Sequence, residues 1–299
     1  MTKDSTRGGA DPRPPGRDGT ERPYAGVVMA MGTMHGKQHQ VAPAFADVLG
    51  ARVLVPAGLD TDQFGTFTGD VERTLSPRQA AAAKARLAMT VAGVSHGLAS
   101  EASYGTAYGF LTVHGEVLLF LDDTRGIEVI EGEYCPDTPG PSAVVTCATE
   151  AALTARRFGF PHQGASVKVV AAGHVRVVGK GLTDGTRLTQ MVQTALGVAD
   201  TGQVWVEPDL RAHHNPTRRQ VLTRLAERLA HRLATPCPAC HTPGYGKVDV
   251  RRGLPCTLCG SPTSVIAADV HGCPACEHRH GVPRHATGAE PRWCDYCNP

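Results

Sequence analysis

The sequence predicts an α/β fold with a mixed sheet, followed by a small cysteine-rich module. Three observations carry this. Residues 26–56 read as strand, loop, helix and strand, the opening of an α/β layer. Residues 76–103 pair an alanine-rich helix with a further apolar strand. After residue 236, eight of the ten cysteines fall into four Cys-x-x-Cys pairs.

The elements follow in order. Residues 1–23 are glycine, proline and mixed charge with almost nothing apolar, the composition of a disordered tail. Gly26–Met31 is a short apolar run, expected as a buried strand, and Gly32–Lys37 is a loop. Val41, Phe45, Ala46 and Leu49 recur at helical spacing, which predicts a helix over Gln38–Leu49 stopped by Gly50. Pro43 suits only a first turn, so the helix is expected to start late. Arg52–Pro56 reads as the second strand, and Gly58–Asp70 is too polar and glycine-rich for regular structure.

Ser76-Pro77 supplies an N-cap and a first-turn proline for a helix running to Ala92. His96–Ser103 is the next strand. Phe110–Leu121 and Gly126–Glu133 form a hairpin around Asp122-Asp123-Thr124-Arg125. Helices are predicted over Thr149–Arg157 and Thr183–Leu196, and strands over Val167–Val170, His174–Val178 and Val204–Val206. Asn215-Pro216 opens a last helix to Ala234. Leu222, Leu225, Leu229 and Leu233 mark its apolar face, and Arg224, Arg228 and Arg232 read as a solvated one. The chain thus divides into a tail (1–23), an α/β domain (24–234) and a module (235–299).

In the module, Cys237/Cys240, Cys256/Cys259, Cys273/Cys276 and Cys294/Cys297 each aim two thiolates at one point. Gaps of 15 residues between the first two pairs and 17 between the last two fit zinc ribbons in tandem, with two structural ions. A cross-braced pairing of the four turns is the variant, because spacing does not fix connectivity. Redox dithiols and an iron–sulfur cluster are the competing readings. Four sulfurs would close the coordination shell, which disfavours catalytic zinc. Cys135 and Cys147 lie outside the module and read as ordinary thiols.

The formal net charge is +2, and no apolar run reaches the roughly 18 residues that span a bilayer. No apolar signal region opens the chain, so the expectation is a cytoplasmic protein without a membrane partner. From residue 235 onward six Lys/Arg face five Asp/Glu, before the negative charge of zinc thiolates is counted. Binding to nucleic acid phosphates needs clustered cations, so nucleic acid is not the expected partner. A protein partner docking on the ribbons is.

The candidate site lies in the α/β domain. Thr33-Met34-His35-Gly36-Lys37 sits between strand and helix, where backbone amides and a lysine favour phosphate. Glu72 in the acidic loop and Glu101 at a strand end could share Mg²⁺ with a substrate phosphate. Arg211, His213, His214, Asn215 and Arg218 crowd a strand-to-helix junction. There Asn215 is a cap, Arg218 is a partner for Asp209, and Arg211 with His213 is a wall for a base or anion.

Thr33-x-x-x-Lys37, the acidic loop before the Lys84 helix, and Ser100-Glu101 ending a strand resemble the inosine/xanthosine triphosphate pyrophosphatase superfamily. The likeness covers roughly residues 26–105 and is greatest to the branch acting on aberrant purine nucleoside triphosphates. It implies an inosine triphosphatase-like fold, Lys37 on the triphosphate, Glu72 and Glu101 on the metal, and a late His–Arg pair on the base. The chain departs from that family at Met34, where the family has asparagine. From Met31 to Pro299 the chain also resembles a bacterial family of uncharacterised proteins, through GTMHGK (32–37), GLDTDQFGTFTG (58–69), LASEASYG (98–105), DLRAHHNPTR (209–218) and CDYCNP (294–299). Relatives there carry glycine at Ala102 and a Pro-His-Pro-like run where this chain has Thr106-Ala107. The resulting expectation is a Mg²⁺-dependent nucleoside triphosphate pyrophosphatase or phosphohydrolase. The alternatives are a non-catalytic nucleotide-sensing adaptor that docks partners through its ribbons, and a redox protein.

Overall fold

The computed structural model describes residues 22–66, 71–107, 111–136 and 138–299. Most of the expected tail, Asp70 of the acidic loop and the side chain of Thr106 lie outside what it describes. Five strands form the first sheet, in the order β2-β1-β3-β4-β5: β1 (Val28–Met31), β2 (Arg52–Leu54), β3 (His96–Ala107), β4 (Leu111–Asp122) and β5 (Ile127–Cys135). The sheet is mixed. β1 runs parallel to β2 and β3, while β3, β4 and β5 pair antiparallel.

Alternation along the strands sends successive residues to opposite faces. Leu98, Leu118 and Phe120 meet α1 (Gln38–Ala44) and α5 (Pro216–Ala234) on one side. Ala99, Leu119 and Leu121 meet α2 (Pro77–Ala92) on the other. α5 buries all four leucines expected on its apolar face. Ser76 closes a capping box with Gln79 at the start of α2.

The helix around Pro43 differs from expectation. It starts at Gln38, keeps Pro43 inside, and widens into a π-helical turn at Phe45–Leu49 before Gly50 ends it with φ 67°. A proline removes one N–H and crowds the preceding carbonyl, and a wider turn re-spaces the bonds that follow.

Residues between β5 and α5 form a second sheet in the order β6-β9-β7-β8, made of β6 (Ala143–Val145), β7 (Ala165–Ala171), β8 (His174–Leu182) and β9 (Val204–Pro208). With α3 (Ala148–Arg157) and α4 (Gly185–Leu196) it encloses its own core around Val167, Val169, Val192 and Val206. The span read as one α/β domain therefore carries two sheets, each packed against apolar clusters of its own. The three-residue β6 had no visible sequence signal.

The arginine face of α5 is not a free solvated face. Arg224 and Arg228 pair with Glu133, and Arg232 pairs with Glu131, both acids on the edge strand β5. Arg232 also donates to the Gly244 carbonyl at 3.0 Å, which ties the cysteine-rich module to the body. That module is a three-stranded antiparallel sheet of β10 (Gly246–Arg252), β11 (Ile266–Gly272) and β12 (Arg279–Pro283). No helix among the described residues is long and apolar enough to cross a membrane.

Candidate functional site

The first site is a cleft of about 50 Å³ where the loop before α1, the start of α5 and the end of β8 converge. His35, Lys37, Lys84, Glu101, Lys180, Arg211 and Arg218 line it, with Asp62 at the rim. Gly32 lets the loop pass close to α2, since a Cβ there would lie 2.3 Å from the Lys84 carbonyl oxygen. Thr33 Oγ1 accepts the His35 N–H at 3.1 Å and so shapes this loop, but Thr33 does not line the cleft.

Lys37 is almost completely buried and donates to the Ser100 carbonyl at 2.8 Å. Burial, reinforced by Arg218 and Lys84, lowers its ammonium to about 8. Glu101 accepts Lys84 Nζ at 2.5 Å and Arg73 Nη2 at 3.1 Å. Burial alone would raise the Glu101 carboxyl, and Lys37 and Lys84 more than reverse that. Glu116, absent from the sequence reading, is fully buried on β4. Arg218 holds it with Nε and Nη2 at 2.8 and 3.0 Å, and His114 contacts it at 2.9 Å. Burial opposes its charge, but Arg218 and His114 hold its carboxyl far below the usual range.

Asn215 caps α5 as expected, accepting the Arg218 N–H at 3.1 Å, and its amide donates to the Tyr104 hydroxyl at 3.0 Å. The expected Arg218–Asp209 pair is replaced by Arg218–Glu116. Asp209 instead takes Arg211, with Nη2 to Oδ2 at 2.6 Å, and the Gly181 N–H at 2.8 Å. Of the expected wall, Arg211 lines the cleft. His213 does not, but its ring stacks on His35 with centroids 4.9 Å apart. Burial and nearby cations lower both imidazoles, to about 3 for His35 and about 4 for His213, so both are neutral near pH 7.

Glu72 is exposed and does not line the cleft; its neighbour Arg73 is what reaches Glu101. The geometry does not assemble the Glu72–Glu101 pair on which a Mg²⁺ site would rest. Among the described residues the cleft and its supporting ion pairs hold six cationic side chains (Lys37, Arg73, Lys84, Lys180, Arg211, Arg218). Four acids oppose them (Asp62, Glu101, Glu116, Asp209). The chemistry on offer is anion recognition, with one lysine whose ammonium burial holds near 8.

The second site is the module. Cys237, Cys240, Cys273 and Cys276 form one cluster, and Cys256, Cys259, Cys294 and Cys297 the other. Neighbouring sulfurs stand 3.5 to 3.9 Å apart. Zinc–sulfur bonds of about 2.3 Å in a tetrahedron require about 3.8 Å between sulfurs, so each set can hold one zinc ion. These separations are also far beyond the roughly 2.05 Å of a disulfide. The Leu258 and Ala275 amides point at Cys256 and Cys273 sulfur, at 3.4 and 3.3 Å, as knuckle turns do. The pairing is interleaved, first turn with third and second with fourth. Of consecutive ribbons and a cross-brace, the arrangement is thus the cross-brace, with β11 lying in sequence between the second and third turns. Among the described residues no other group of three or more His, Cys, Asp or Glu ligands lies together.

A family model described as a domain of unknown function (DUF6671) matches residues 84–299. The chain belongs to the DUF6671 family. No curated protein matches it. The DUF6671 match begins at Lys84 on α2. It contains Glu101, Glu116, Arg211, Arg218 and all eight clustered cysteines, and leaves the Lys37 loop outside.

Proposed function

We propose that the protein binds a phosphate-bearing small molecule in the Lys37 cleft and uses its zinc module as a structural and docking element. The convergence of Lys37, Lys84, Lys180, Arg211 and Arg218 on one small cleft supports this reading. Glu116 and Asp209 hold Arg218 and Arg211 in fixed orientation, which lowers the entropy lost when an anion is clamped. Guanidinium edges and ammonium groups suit phosphate oxygens.

The test is thermal unfolding of the zinc-loaded protein with inorganic phosphate, pyrophosphate and nucleoside triphosphates. A ligand at a hundred times its Kd stabilises by about 2.7 kcal/mol. Stabilisation that Arg211→Ala weakens supports the reading. No stabilisation by any of these anions, or the same stabilisation in the variant, overturns it.

A second reading, hydrolysis of a nucleoside triphosphate by an inosine triphosphatase-like domain, draws support from one observation. Lys37 and Glu101, both implied by the resemblance, line the same cleft. Incubation with Mg²⁺ and a triphosphate panel should then release pyrophosphate or phosphate, and Glu101→Gln should abolish release. Absence of release favours the non-catalytic binding reading.

A further inference from the structure

The two buried lysines of the cleft are not equivalent. Lys84 is matched by the Glu101 carboxylate. Lys37 makes one contact, to the Ser100 carbonyl, and among the described residues no carboxylate stands within ion-pair distance of its nitrogen. An ammonium carries three donors and no acceptor, so one carbonyl leaves two donors unmet in a buried position. A neutral amine tolerates the same place far better, and its lone pair is a nucleophile.

We propose that Lys37 is a covalent site, whose amine condenses with the carbonyl of an aldehyde or ketone that carries a phosphate group. This rests on the anion-binding reading, because Arg211, Lys84 and Lys180 would hold the phosphate while Lys37 meets the carbonyl carbon. The Lys37 lone pair attacks the carbonyl carbon, forming C–N while the C–O π pair moves to oxygen. Nitrogen loses a proton and oxygen gains one, giving a carbinolamine. Loss of the hydroxyl as water, with the second nitrogen proton, leaves a C=N bond. Carbonyl plus amine thus becomes imine plus water, with no oxidant or reductant. His35 lines the same cleft and is neutral there, so it adds no positive charge beside the Lys37 amine. The lowered ammonium of Lys37, near 8, keeps an appreciable fraction of the amine uncharged at neutral pH.

The experiment uses the full zinc-loaded chain with glyceraldehyde 3-phosphate, and glyceraldehyde as the phosphate-free control. Borohydride traps the imine as a secondary amine, and peptide mass mapping locates it. The expected result is one dominant adduct at Lys37, suppressed by inorganic phosphate and lost in Lys37→Arg. Glyceraldehyde should label about tenfold less, the factor one charge-assisted contact supplies. Labelling should rise with pH around a midpoint near 8, whereas surface lysines titrate near 10.4. That midpoint and the phosphate competition decide the matter in the native chain even if Lys37→Arg fails to fold. Label spread over surface lysines without phosphate preference, while phosphate still raises the melting temperature, overturns the imine site and leaves the anion site standing. Loss of both phosphate effects overturns both.

Discussion

Arg218 at the first turn of α5 grips Glu116 in the middle of β4 through two guanidinium nitrogens, at 2.8 and 3.0 Å, with both side chains almost wholly buried. The third guanidinium nitrogen donates to the Leu210 carbonyl at 2.7 Å. This one pair fixes the start of α5 on the first sheet and aims Arg218 at the cleft.

Removing half of it leaves a buried charge alone. Arg218→Ala is expected to cost roughly 3–5 kcal/mol, and Glu116→Gln to lose stability as well. The double variant Glu116→Gln/Arg218→Met should recover much of the loss. Urea unfolding of the three variants checks this; additive losses would contradict it.

The cross-brace makes a prediction that tandem ribbons do not. Ending the chain after Val270 removes Cys273 and Cys276 from one cluster and Cys294 and Cys297 from the other. Both zinc ions should be lost, measured as metal per chain by elemental analysis. Consecutive ribbons would retain one ion on Cys237, Cys240, Cys256 and Cys259.

Gly181 carries φ +62°, and a Cβ there would sit 2.4 Å from His214 Nε2 and 3.1 Å from Arg211 Nη2. Gly181→Ala should therefore displace the Arg211 wall. The backbone conformation itself costs about 1–2 kcal/mol for a residue with a side chain. Phosphate affinity should fall about tenfold or more, the worth of one charge-assisted hydrogen bond. Calorimetric titration with phosphate or pyrophosphate measures it.

Stability should fall in mild acid. His35 and His213 have folded values lowered to about 3 and 4, below the ordinary 6.5. Between those limits the unfolded chain binds protons that the folded chain refuses, so stability drops as pH falls below about 6.5. Lys37 acts in the same direction at the alkaline end. Its folded value near 8 lies below the ordinary 10.5, so its penalty is complete below pH 8 and relieved as pH rises past it. His35→Gln should flatten part of the acid slope in melts run from pH 7 to pH 4.

Local features were legible in the sequence because their causes are local. Ser76-Pro77 and Asn215-Pro216 start α2 and α5 because cap and proline chemistry acts within one turn. Each Cys-x-x-Cys pair announced its knuckle. Lys37, Glu101 and Arg211 were named from their places beside strand ends, where loops gather. Partner choice over long separations was not legible. Glu116 and Arg218 lie 102 residues apart, and nothing near Glu116 marks it as buried. Glu72 and Arg73 are neighbours, and the chain's direction through the loop decides which one reaches Glu101. The arginines of α5 found Glu131 and Glu133 because β5 is the sheet edge on which α5 lies, a fact of topology.

The interleaved cysteines also bear on how the module is born. A ribosome delivers Cys237, Cys240, Cys256 and Cys259 before any of the other four. During that interval the available thiolates are the set that does not belong together. Each cluster then has only two of its four thiolates, and the first is complete only when Cys273 and Cys276 emerge, the second only when Cys294 and Cys297 do. Neither cluster can therefore close before more than half of the module has been made.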